Sequence, residues 1–101
     1  MHLVEILLPL RDEAGTPFPA EYYDDLAQHL TNTFGGVTSF LRAPAEGRWH
    51  GRGAMQREDI AVIEVMTRSF DREWWTALKS ELQAKFQQDE LIIRCQMVDL
   101  I

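Results

Sequence analysis

Arg42, Arg48, Arg52 and Arg57 fall within one short stretch, with Trp49 and His50 between them and Glu46 as the sole acid. Guanidinium groups match carboxylates and phosphates bidentately, which a lysine ammonium does not. Arg42, Arg48, Trp49, His50 and Arg52 therefore form a candidate binding set for a small anionic ligand, in which His50 could act as a general acid or base. The competing reading is a solvated loop whose charge offsets acidic surface elsewhere. Glu58 and Asp59 follow Arg57 at once and could neutralise it.

Other chemistries lack their residues. A metal centre needs three or four donors, and no two histidines, nor the single cysteine and a histidine, stand at ligand spacing. Ser39 and Ser69 have no nucleophile-elbow context, and Cys95 reads as a small core hydrophobe. Gly51-Arg52-Gly53 is neither a phosphate-cradling loop nor a dinucleotide fingerprint, because no strand-turn-helix pattern surrounds it. His2 and His29 read as surface residues. Trp74 and Trp75 point about 100° apart on a helix, so one belongs in the core and the other at its margin. No catalytic residue and no cofactor are assigned.

The elements that would carry these residues fit a single domain, residues 1–101, and a chain of 101 residues can bury a core without staples. A single cysteine allows no intramolecular disulfide and points to a reducing compartment. The first ten residues lack a basic start and place Glu5 inside their apolar run, which argues against a signal peptide. With no apolar run of membrane-spanning length, the expected location is cytoplasmic. The net charge of −6 opposes nonspecific binding to nucleic acid or anionic lipid. The stretch from Arg42 to Arg57 is the exception, with a local surplus of three positive charges.

Val4 to Leu8 predicts a first strand closed by Pro9, followed by a polar turn through Asp12, Glu13 and Gly15. Pro17 and Pro19 open a helix whose apolar face is Tyr22, Tyr23, Leu26, Ala27, Leu30 and Phe34. Phe34-Gly35-Gly36 is a helix-ending signal, and Val37 to Arg42 a second strand. Asp59 to Met66 alternates as the clearest strand, and Asp71, with Ser69 the competing choice, can cap a second helix bearing Trp74, Trp75, Leu78, Leu82 and Phe86. Leu91 to Val98 is the last strand, with Ile93, Cys95 and Met97 on one face.

The order βαββαβ predicts an α+β, ferredoxin-like plait: a four-stranded antiparallel sheet of order 4-1-3-2 with both helices on one face. The uncovered face would carry Leu3, Glu5, Leu7, Phe40, Ile60, Val62, Glu64, Met66, Ile92 and Arg94, with Arg42 at its margin. That is too apolar for a solvated sheet face. A homodimer with sheets face to face covers it, using Leu3, Leu7, Phe40, Ile60, Val62, Met66, Ile92 and Arg94, and Glu5, Glu64, Arg42 and Arg94 supply charge within it. RNA binding through the same plait is disfavoured, since the third strand has no aromatic residue.

The pattern Phe34-Gly35-Gly36-Val37-Thr38, then Arg42-Ala43-Pro44-Ala45 and Gly47-x-Trp49, resembles a group of small uncharacterised bacterial proteins. The likeness runs over most of the chain and includes Trp74-Trp75. It implies a bacterial source and a fold type, and nothing catalytic. In architecture the chain also looks like the dimeric α+β barrel proteins, a topological likeness that carries no function. The expectation is thus a noncatalytic homodimeric domain. The alternative is a small enzyme or sensor that binds an anionic metabolite in a cavity between sheet and helices, entered past Arg42, Trp49, His50 and Arg52.

Overall fold

The computed structural model describes residues 1–36, 38–42 and 60–101, with 38–42 placed as strand. Along the chain run β1 (His2–Pro9), α1 (Ala20–Phe34), β2 (Thr38–Arg42), β3 (Ile60–Thr67), α2 (Arg72–Lys85) and β4 (Ile92–Met97). The α+β class expected from the sequence is the class found.

Each element follows from local chemistry. β1 alternates from Val4 onward between buried and part-exposed positions, Ala61, Val62 and Ile63 of β3 are all buried, and the two strands pair antiparallel with Val4 opposite Val65, Ile6 opposite Ile63 and Leu8 opposite Ala61. Between β1 and α1, the Asp12 carboxylate accepts the Thr16 N–H at 2.8 Å, and Gly15 takes φ 84°, a left-handed conformation that costs glycine nothing. Pro19 sits one residue before α1, as its N-cap, rather than in its first turn. Gly35, at φ 85°, ends α1, its N–H donating to the Thr31 carbonyl at 2.7 Å.

The Asp71 carboxylate caps α2 by accepting from the N–H groups of Glu73 (3.1 Å) and Trp74 (3.3 Å). At the far end Gln87 has φ 54°. Its N–H and that of Gln88 donate back to the carbonyls of Ala84 and Gln83, the paired bonds of a Schellman motif built without glycine.

The sheet has four antiparallel strands in the order β2-β3-β1-β4. Both helices lie against the same face, where Val4, Ile6, Leu8, Ala61, Ile63 and Val65 meet Leu26 and Leu30 of α1 and Trp75, Leu78 and Leu82 of α2. Phe86 is fully buried, with the rings of Phe18, Tyr22 and Tyr23 5.1–5.6 Å from its own. Trp75 is buried and Trp74 part-exposed, the division that helix geometry requires of neighbours.

Two side chains depart from expectation. Cys95 belongs by register to the helix side, opposite Val4, yet it is an exposed free thiol rather than a core residue. β4 is an edge strand, and the helices cover it only as far as Ile93, leaving Cys95 and Met97 in solvent. His2 is part-buried rather than a surface residue. Its ring stacks on Phe70 at 5.9 Å, and its Nδ1 is buried with no hydrogen-bond partner among the described residues.

Candidate functional site

Of the arginine set, Arg42 is the last residue of β2, opposite Ile60. Arg48, Trp49, His50 and Arg52 lie outside the described residues. The space where the alternative reading put a cavity, between sheet and helices, is filled among the described residues. Phe86, Ile6, Leu8, Leu30, Ile63, Val4 and Val65 pack there with under 2% of their surface exposed.

The sheet face away from the helices is where unexplained chemistry collects. Strand register assembles it in rows. Phe40, Val62, Leu7 and Ile92 stand opposite one another across all four strands, an apolar row. The next row is polar: Thr38, Glu64, Glu5 and Arg94. Beyond it come Met66, Leu3 and Gln96. Ile60, with Arg42 and Pro9 on either side, closes the opposite end. All eight residues expected at the interface therefore fall on one face by register.

The helices contribute nothing to this face, and its apolar residues differ in exposure. Val62 retains only 7% of its surface, whereas Met66 is 49% and Ile92 57% exposed. Leu3, Leu7 and Ile60 are part-exposed.

Within the polar row the Arg94 guanidinium grips Glu5 with two bonds, Nε to Oε1 at 3.1 Å and Nη2 to Oε2 at 3.3 Å. The Arg94 side chain stays 60% exposed while that of Glu5 is 13% exposed. A solvent-screened pair of this kind contributes about 0–1 kcal/mol to stability. A shallow depression of 420 Å³ opens beside it, lined by Glu5, Arg94, Cys95 and Gln96. Two adjacent carboxylates and one arginine can bind a complementary charge, but they make no nucleophile-base pair.

Among the described residues there is no group of three or more histidine, cysteine, aspartate or glutamate side chains placed to hold a metal ion. No helix among them is long and apolar enough to cross a membrane. His29 is exposed, as expected, and stacks on Trp74 at 5.8 Å. Sequence reasoning names Glu5, Glu64 and Arg94 as charges within an apolar face. It misses that Glu5 and Glu64 are direct cross-strand neighbours, which only the register of β1 on β3 reveals.

No protein-family model matches the chain, and no curated protein matches it. Among solved structures it is similar to a phage SAM lyase in complex with S-methyl-5'-thioadenosine. The TM-score is 0.58 at 16% identity, over 94% of this chain and 79% of the other. At that identity the likeness is one of fold.

Proposed function

We propose that this chain is a noncatalytic, ferredoxin-like domain of a bacterial cytoplasm that works as a homodimer, its open sheet face forming the subunit interface. The observation that carries the reading is the apolar row Phe40, Val62, Leu7 and Ile92 together with Met66 and Leu3, on a face that neither helix covers. At about 25 cal/mol per Å², leaving the half-exposed Met66 and Ile92 and the part-exposed Leu3 and Leu7 in water forfeits several kcal/mol that a second sheet would recover. Sedimentation equilibrium tests it. The wild-type chain is expected to be dimeric at micromolar concentration, and a monomer at every concentration overturns the proposal. Met66→Asp combined with Ile92→Asp should give folded monomers, because both side chains are already half-exposed and their replacement leaves the core intact.

A second reading is favoured by the ligand held in the phage structure: a small metabolite bound near Arg42, Arg48, Trp49, His50 and Arg52. Thermal shift with inorganic phosphate and with S-methyl-5'-thioadenosine separates the two. A rise of more than about 2 °C that disappears in Arg48→Ala/Arg52→Ala supports ligand binding. No rise with either probe leaves the interface reading alone.

A further inference from the structure

The polar row through the open face is unbalanced among the described residues of one chain. Glu64 and Glu5 stand directly opposite each other on β3 and β1, and like charges in that position repel. Arg94 answers only Glu5. Glu64 is part-buried and makes no ion pair or hydrogen bond among the described residues. Arg94, meanwhile, spends two of the five N–H donors of a guanidinium on Glu5, gives the other three to no other described residue, and remains largely exposed. Among the described residues one chain thus presents an unpaired carboxylate and a half-used arginine on the same row, with β1 between them.

We infer that Glu64 is neutralised by Arg94 of a second copy of this chain, across a two-fold axis running along β1 between two face-to-face sheets. The inference rests on the dimer reading and specifies its geometry. Such an axis lays β1 over the second copy's β1 and β3 over its β4. Glu64 of each copy then meets Arg94 of the other, and each Arg94 bridges its own Glu5 and the opposite Glu64. Facing sheets lie about 10 Å apart, a gap that an arginine and a glutamate reaching from opposite sides can close. The same rotation sets Val62 over Ile92 and Leu7 over Leu7, so the apolar row meets itself. A two-fold running across the strands along the polar row would instead stack Arg94 on Arg94 and Glu64 on Glu64.

Charge exchange with sedimentation equilibrium as readout tests the contact. Glu64→Arg places a second cation beside Glu5, so the fold should keep its melting temperature. Dimerisation should weaken by about tenfold or more, because the introduced guanidinium confronts the second copy's Arg94. Glu64→Arg with Arg94→Glu restores both the pairing with Glu5 and the contact between copies, and should return to within about threefold of wild type. If wild type is dimeric and Glu64→Arg associates as tightly, or if the double exchange fails to recover, this contact is wrong and the dimer reading stands. If wild type is monomeric, the dimer reading falls, and this contact with it.

Discussion

Tyr23 ties the end of β1 to α1. Its phenolic O–H donates to the Pro9 carbonyl at 2.6 Å, and burial raises its pKa above the ordinary tyrosine value. A phenol held protonated in the fold binds its proton more tightly than in the unfolded chain. Its stabilising contribution is complete below the ordinary value of about 10, and is lost as pH rises through the higher folded value. Tyr23→Phe should therefore cost about 1 kcal/mol at neutral pH, where the Pro9 carbonyl loses its donor, and should flatten the alkaline fall in stability. Urea titrations at a series of pH values above 8 would show both effects. An unchanged alkaline slope in the variant would mean that another group sets it.

At the scale of elements, Phe86 shows how one residue just past a helix can fix three segments. It follows α2, and its ring is met by Phe18 from the loop before α1 and by Tyr22 and Tyr23 from α1 itself. Phe86→Ala should cost about 3–5 kcal/mol, read from the shift in the urea midpoint at unchanged slope, since a fully buried ring leaves a cavity among side chains already in contact.

The elements themselves are legible because their signals are local. Gly35 after Phe34, Asp71 before Arg72, and the alternation of β1 and β3 each act within one turn or one strand. Cys95 escapes such reading for the complementary reason. Alternation assigns it correctly to the helix side, but how far a helix reaches over an edge strand depends on tertiary placement that no local pattern encodes. The polar row is legible only as separate charges, since its members come from four strands and align only once register is set. The arginine-rich candidate set gains no geometry beyond the place of Arg42 at the end of β2.

On the scale of the whole molecule, the chain is acidic, at −6, while its open face alternates apolar and polar rows. The proposed dimer and its charge exchange would be properties of that face rather than of any one residue. The strand order has a further consequence, for synthesis. Of the four described strands β1 is made before the others, yet it is central, and one of its two neighbours is made after the others; the ion pair joining them spans 89 positions of sequence. Between the synthesis of β3 and that of β4, β1 can pair with β3 but has its other edge unpaired, an aliphatic template open to any extended chain nearby. A chain ending before Leu91 should therefore accumulate as aggregate rather than as a loosened monomer, visible by light scattering on refolding. The closing step of the fold is also its protection against misassembly.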